Sequence, residues 1–288
     1  MIISEADIFK KRMVKLVFTF ILISFIFRYY NHALLHQMLQ PVVFKVNSDL
    51  TYWVYHIVGF AKFIAQNKTA ATIFDCLLIG LCIVTIIRPQ RITIIAFSIL
   101  YPIYLLSYNS FVTHHYGNLI GILFITFAFW SKKEITFKFL WEALRYYTLF
   151  IYSMAFVYKV FINVSVFNIT QPLTILKDNL VLYLYQNPDT FFANCLYWFI
   201  NNPLVLYVGY IFCISMQGCM IAGFFTKKFD RILFFLPILF HSSTYFFVDV
   251  FYFELLILNF TFFDANSFNK VVAYFKTKMQ FFDRKQFA

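Results

Sequence analysis

Charged residues are scarce in this sequence, and their scarcity excludes a water-soluble fold. Only 13% of the 288 residues are charged, against roughly 25% in soluble domains. Hydrophobic residues make up 61% of the chain and aromatic residues 23%. Because so few charges are available to solvate so much apolar surface, we expect an all-α, polytopic membrane protein.

Several familiar sequence motifs, including those of metal sites and nucleotide-binding sites, are also missing. The five cysteines show no CxxC or other metal-ligand spacing, so we expect no metal site. There is no Walker motif and no Gly-x-Gly-x-x-Gly. Neither an inverted repeat nor a pair of Gly- or Pro-broken helices is present, which argues against a transporter. The first apolar run lacks a small-residue cleavage site, so we expect no cleavable signal peptide.

Eight apolar runs approach the roughly 17–25 residues that cross a bilayer. We predict transmembrane helices at Val14–Tyr30, Thr69–Ile87, Ile92–Tyr108, Gly117–Trp130, Phe139–Phe161, Leu204–Phe225, Ile232–Val248 and Val250–Phe263. The fourth run is short and is expected to begin further back, and the last two are separated only by Asp249. Residues 1–263 are thus predicted to form one transmembrane domain, followed by a basic cytoplasmic tail at 264–288.

The basic residues predict the orientation. Lys and Arg are enriched in the cytoplasmic loops of membrane proteins, where they face anionic lipid. With eight spans and both termini in the cytoplasm, all but six of the 24 Lys and Arg fall on the inner side. The six on the outer side are Arg28, Lys45, Lys62, Lys68, Lys159 and Lys177. Nucleic-acid binding is not expected, because no cluster of basic residues lies apart from apolar runs that are long enough to span a membrane. The abundant Phe, Ile, Asn and Lys indicate an AT-rich bacterial genome and therefore the inner (plasma) membrane.

Two longer segments, residues 31–68 and 162–203, are predicted to lie outside the membrane. In the first, the apolar positions of Leu50–Gln66 recur at helical spacing, which predicts an interfacial amphipathic helix. In the second, Pro172–Leu184 carries leucines on one helical face, at positions 173, 176, 180 and 184. We expect interfacial helices on the outer face of the bundle.

Four polar residues in or near the spans are candidates for catalysis: Lys159, His114, His115 and His241. Burial among apolar neighbours favours the neutral amine of Lys159, and a neutral amine can act as a base. Alternatively, Lys159 extends to the outer head groups, as lysines near span ends do. The histidines can relay or orient a proton, or they can be packing residues.

Three carboxylates in the apolar segments are predicted to be structural. Ionisable groups in hydrocarbon are costly and usually face the bundle interior. We expect Asp75, Glu142 and Glu254 to pair between helices with Arg28 or Arg145.

Three stretches resemble the HTTM family, which includes the membrane domain of vitamin K-dependent γ-carboxylases. Met154-Ala-Phe-Val-Tyr-Lys159-Val is similar to Ala-Gly-Leu-Lys-Lys-Leu, whose second lysine is the proposed base of the family. Thr113-His-His-Tyr-Gly-Asn-Leu-Ile-Gly-Ile-Leu123 is similar to Asn-His-Ser-Tyr-Leu-Tyr-Gly-Leu-Leu, whose histidine corresponds to His115 or His114. The region from Met220 through His241 to Glu254 is similar to the penultimate helices of the family. Phe156 stands at the glycine of the first motif and Tyr158 at its first lysine.

The resemblance implies a function in modifying or maturing a secreted peptide or protein at the outer face. Carboxylases carry a large hydrophilic region that binds their substrate, and this sequence does not contain it. Short membrane-only members also resemble the membrane protein that matures a sporulation-delaying peptide toxin. The resemblance therefore implies Lys159 as base, a reduced quinone as a possible cofactor, and a secreted peptide or soluble protein as partner. The alternative is a non-enzymatic membrane component that docks such a partner through the outer segments.

Overall fold

The computed structural model of the chain describes residues 5–38, 53, 56–109, 120–163, 165–249, 252–265 and 268, and the regular secondary structure of these residues is helical. The α-helices are α1 (Glu5–Tyr30), α2 (Phe60–Ala65), α3 (Lys68–Ile87), α4 (Arg91–Asn109), α5 (Ile120–Ala128), α6 (Glu134–Val157), α7 (Gln171–Gln186), α8 (Phe191–Asn201), α9 (Pro203–Cys219) and α10 (Asp230–Val248). A 3-10 helix at Phe253–Phe262 follows α10 and is called here the core 3-10 helix. The predicted all-α class is confirmed for this part of the chain.

Within the described ranges, five helical segments are long and apolar enough to cross a membrane: α1, α3, α4, α9 with the 3-10 turn that follows it, and α10. Their outward faces are apolar as well. On α3, for example, Ile73 is 63% exposed and Ile87 is 66% exposed, which suits contact with lipid. These helices are typical of a membrane protein.

The predicted count of eight spans is not confirmed. Helix α5 has nine residues, and residues 110–119 before it lie outside the described part of the chain. Helix α6 has 24 residues, but Glu142 and Arg145 lie within it. The run predicted at Val250–Phe263 forms the core 3-10 helix of ten residues. At about 2.0 Å per residue it extends ~20 Å, short of the roughly 30 Å hydrocarbon core.

The core 3-10 helix lies at the centre of the bundle. It packs against α1, α5, α6 and α10, and Ile257 and Leu258 are fully buried. Gly121 of α5 permits this packing, because a Cβ there would lie 2.9 Å from the carbonyl oxygen of Glu254. The apolar residues that predicted a membrane span therefore contact other helices rather than lipid.

An ion pair ties the first helix to this central element. Arg28 of α1 donates from Nε to Glu254 Oε1 at 2.6 Å, and Ser24 Oγ donates to the same oxygen at 2.9 Å. The side chains of Arg28 and Glu254 are only 2% and 3% exposed. The guanidinium also lies 4.1 Å from the centre of the Tyr108 ring, a favourable cation–π contact. The structural role predicted for Glu254 as a partner of Arg28 is confirmed.

The other two carboxylates differ in their partners. Glu142 lies 3.6 Å from Arg145, but both belong to α6, so this is not the predicted pair between helices. The closer partner of Glu142 is Lys227 of the α9–α10 turn, at 2.6 Å, and that of Arg145 is Asp230, also at 2.6 Å. Asp75 pairs instead with His36, which donates to Oδ2 from its backbone N at 3.0 Å and contacts it through Nδ1 at 2.7 Å. The segment after α1 folds back onto α3, so a nearby histidine reaches Asp75.

Several connections meet at one end of the bundle, which we call the basic end: the N-terminal half of α1, the α3–α4, α5–α6 and α9–α10 turns, and the residues after the core 3-10 helix. Side chains tie these parts together through five contacts: Lys10 to the carbonyl of Ser131, Arg91 to that of Trp130, Trp141 to that of Phe263, Arg145 to Asp230 and Lys227 to Glu142. Most of the basic turns predicted to be cytoplasmic therefore lie together.

The two predicted outer helices have different outcomes. Helix α7 matches the prediction at Pro172–Leu184, because Leu176, Leu180 and Leu184 are buried on one face. The continuous helix predicted at Leu50–Gln66 is wrong. Gly59 adopts a left-handed backbone, with φ 84°, and ends the helical turn before α2. Only residues 264, 265 and 268 of the predicted tail are described.

We expect Glu254→Gln to destabilise the fold by about 3–5 kcal/mol, because it leaves the buried charge of Arg28 without a partner. The free energy of unfolding in mixed detergent micelles measures the loss. The double variant Arg28→Met/Glu254→Met should recover most of it, since neither charge remains. Lys138→Gln is the control: its pair with Glu134 is exposed and contributes less than about 1 kcal/mol. Equal effects of Glu254→Gln and Lys138→Gln would contradict the anchoring role.

Candidate functional site

Lys159 lies in an irregular turn at the end of α6. The α-helix ends at Val157, and Tyr158–Ile162 continue as a π-helical turn, in which Asn163 N donates to the Tyr158 carbonyl at 2.8 Å. A π turn is wider than an α turn, so it redirects the side chains that follow it. Such turns are frequent at functional sites.

The amine of Lys159 is directed toward α9 and α10. Its Nζ donates to Gln217 Oε1 at 2.8 Å and lies 5.5 Å from the centre of the Phe240 ring. Gln217 is 4% exposed, so the hydrogen bond forms inside the bundle. Lys159 itself is half-buried. Its contacts in this conformation are with the protein interior, in contrast to the alternative in which it extends to lipid head groups.

A cavity of about 240 Å³ opens beside this amine. Its walls come from α7, α8, α9 and α10, and most of the lining is aliphatic or aromatic. The lining includes Ile175, Phe199, Val205, Leu206, Ile214, Phe240, Phe247 and Val248. Among the described residues that line the cavity, Lys159 is the only Lys, Arg, His, Asp or Glu.

His241 lies next to the cavity wall on α10. Its Nε2 is 2.9 Å from Tyr152 OH, and its ring contacts that of Tyr252, with centres 5.7 Å apart. The ring is 2% exposed. The ring centre of Phe240 is 5.1 Å from that of His241 and 5.5 Å from Lys159 Nζ. The structure thus brings two of the predicted site residues, Lys159 and His241, to the same wall.

The other two predicted site residues, His114 and His115, lie outside the described residues. Their proximity to Lys159 stays a prediction.

Sequence reasoning assigned no role in the site to several residues of this region, although Gln217 is one of the few polar residues in the apolar segments. Gly209, Cys213 and Gln217 are four residues apart on α9 and share one face, and the first two line the cavity. This i, i+4, i+8 spacing of small or polar residues in an apolar helix was the available signal. Tyr152 precedes Lys159 by two helical turns, so its position on the same side of α6 was also readable. The contact of Tyr152 with His241 on α10 was not predictable in this way, because it joins distant segments of the chain.

Comparison with known protein families, with curated proteins and with solved structures finds no match to this chain.

We expect Tyr152→Phe to cost about 1–3 kcal/mol, because it removes the hydroxyl that contacts the buried His241 Nε2. The measurement is the free energy of unfolding in mixed micelles. Tyr185→Phe removes a hydroxyl from a residue that is 83% exposed and should leave stability unchanged. A loss of the same size in both variants would show that the Tyr152–His241 contact contributes nothing specific.

Proposed function

We propose that this protein is a membrane-embedded enzyme that takes part in modifying or maturing a secreted peptide or protein, with Lys159 as a base and a quinone-like lipid in the adjoining cavity. The observation that carries the proposal is a single amine at the wall of an otherwise uncharged, apolar cavity. An ionisable group is costly to place in such an apolar setting, and the groups found there usually have a function.

The cavity fits the ring of such a lipid. A cavity of about 150 Å³ lined by aliphatic and aromatic side chains accepts benzene, and this one is about 240 Å³. Phe199, Phe240 and Phe247 provide aromatic surfaces against which a flat ring can pack. When bound, a reduced quinone would supply an acidic ring hydroxyl.

The residues of the site have distinct tasks in this proposal. Lys159 Nζ would accept the proton of a bound ring hydroxyl, and the low polarity of the walls favours the neutral amine beforehand. Gln217 Oε1 holds the amine at the cavity wall through the 2.8 Å hydrogen bond. The aliphatic walls exclude water, which strengthens the attraction between the charges that form.

The resemblance to the HTTM family supports the same assignment, because Lys159 falls on the lysine that is the proposed base there. The short members of that family suggest a secreted peptide as substrate and a soluble protein as partner. His115 or His114 would relay the proton from Lys159 in this scheme.

A second candidate function is docking of a partner without catalysis. Helices α7 and α8 favour it, because several of their large apolar residues are exposed: Val181, Leu182, Tyr185, Phe191 and Trp198. Docking requires neither the amine of Lys159 nor the cavity, so variants of those two features separate the candidates.

We further propose eight crossings with both termini in the cytoplasm of a bacterial inner-membrane protein. The contacts at the basic end support this topology. Five parts of the chain meet there: α1, the α3–α4 turn, the α5–α6 turn, the α9–α10 turn and Phe263. Between each of these parts and the next, the chain runs to the opposite end of the bundle and comes back to the basic end. Four excursions correspond to eight passes of the bundle, some by short helices inside it. The Lys and Arg residues at this end favour a cytoplasmic position for it.

An alkylated nitrophenol tests the site, because its colour reports whether the bound ring hydroxyl is ionised. We expect the wild-type protein in detergent to bind it as the phenolate and Lys159→Met to bind it as the phenol. Lys177→Met, which removes an exposed lysine of α7, should behave as wild type. Bound phenolate in the Lys159→Met variant would refute the role of Lys159 as base.

Gly209→Leu tests the cavity separately. No atom lies within 4 Å of a Cβ built on Gly209, so the new side chain fills the cavity without disturbing α9. We expect binding of the nitrophenol to weaken about tenfold or more, since the volume that the ring needs is occupied. Gly80→Leu on α3 is the matched control, because its Cβ also meets no atom within 4 Å and it does not line the cavity. Unchanged binding by Gly209→Leu would exclude this cavity as the site.

Single cysteines in a cysteine-free background test the topology. We expect Gln90→Cys and Lys228→Cys to react with an impermeant thiol reagent only after the cells are permeabilised. Asp189→Cys, in the α7–α8 turn, should react in intact cells, because in the proposed topology α6 carries the chain from the cytoplasm across the membrane to the outer face. Equal reactivity of Asp189→Cys and Lys228→Cys in intact cells would contradict the proposed topology.

A further inference from the structure

Five cations at the basic end are held by partners within the protein. Lys10 and Arg91 donate to backbone carbonyls of the α5–α6 turn. Arg145, Lys138 and Lys227 pair with carboxylates. These five side chains are therefore neutralised or held by the chain itself, and they contribute to holding the turns together.

A second set of cations is arranged differently. Lys11, Arg12 and Lys15 of α1 and Arg88 of the α3–α4 turn line one groove of about 560 Å³, with no acidic residue in its described lining. The side chains of Lys11, Lys15 and Arg88 make no hydrogen bond or ion pair with another part of the chain that the structure describes. Asp7 lies one turn before Lys11 in α1 but does not line the groove.

Like charges that converge without a counter-charge repel one another. Lys11, Lys15 and Arg88 have no acidic partner in the described part of the chain, so an external anion would stabilise them. The groove is also bordered by apolar surface: Ile8 and Ile87 line it and are 39% and 66% exposed, and Ile92 nearby is 72% exposed. An occupant with an anionic head and an apolar body matches both features.

We propose that this groove is a binding site for an anionic phospholipid of the leaflet at the basic end. The phosphate accepts hydrogen bonds from Lys11, Lys15 and Arg88, and the acyl chains lie along Ile87 toward α3. Juxtamembrane lysines and arginines attract anionic lipid in this way. The site is separate from the Lys159 cavity and is independent of the function proposed for that cavity.

Native mass spectrometry of the full chain in detergent tests the proposal. Phosphatidylglycerol and phosphatidylcholine are titrated separately against the wild type and against the variant Lys11→Gln/Lys15→Gln/Arg88→Gln. We expect the wild type to prefer phosphatidylglycerol and the variant to bind it about a hundredfold more weakly, with phosphatidylcholine unaffected. If the triple variant does not fold, Lys15→Glu replaces it, with a loss of about tenfold or more expected.

The matched control is Lys132→Gln/Lys133→Gln/Lys228→Gln, which removes the same charge from exposed positions at the same end, outside the groove. It should keep the wild-type affinity for phosphatidylglycerol. Equal weakening in both triple variants would overturn the site, because net charge alone would then explain binding. Glycerol 3-phosphate binding as tightly as phosphatidylglycerol would also overturn it, since the apolar border would contribute nothing.

Discussion

The ion pair between Arg28 and Glu254 is the interaction on which the arrangement of the bundle depends. It joins the first long helix to the core 3-10 helix, and both side chains are almost completely buried. A buried charge requires its partner, so the pair fixes the depth at which the core 3-10 helix lies between α1, α5, α6 and α10. Gly121 of α5 then permits close packing against the backbone of Glu254 itself.

The candidate site is connected to this central element. Tyr252, two residues before Glu254, packs against His241 of α10, and His241 contacts Tyr152 on the helix that leads to Lys159. The position of the core 3-10 helix thus supports the wall that carries His241. The other walls come from α7 to α9, where the buried leucines of α7 form a small apolar cluster of their own with α8 and α9.

Much of the fold was predictable because apolar runs and helical periodicity are local features. The helices α1, α3, α4, α9 and α10 lie close to the predicted spans, and the leucine face of α7 is buried as expected. The predictions were less complete where a local pattern had two outcomes. The apolar run before Phe263 was long enough to suggest a span, but it is covered by protein. The periodic run at Leu50–Gln66 is interrupted because Gly59 adopts a conformation that periodicity does not reveal.

The sequence by itself determined that the chain is helical, that lipid suits its outward faces, and that Lys159 and His241 are unusual in an apolar setting. Composition decides these properties, since hydrophobicity and charge belong to each residue. Only the tertiary structure decided which groups meet: Lys159 with Gln217, His241 with Tyr152, and Asp75 with His36. It also decided that a cavity lies beside Lys159, because the empty volume depends on how helices far apart in the sequence pack.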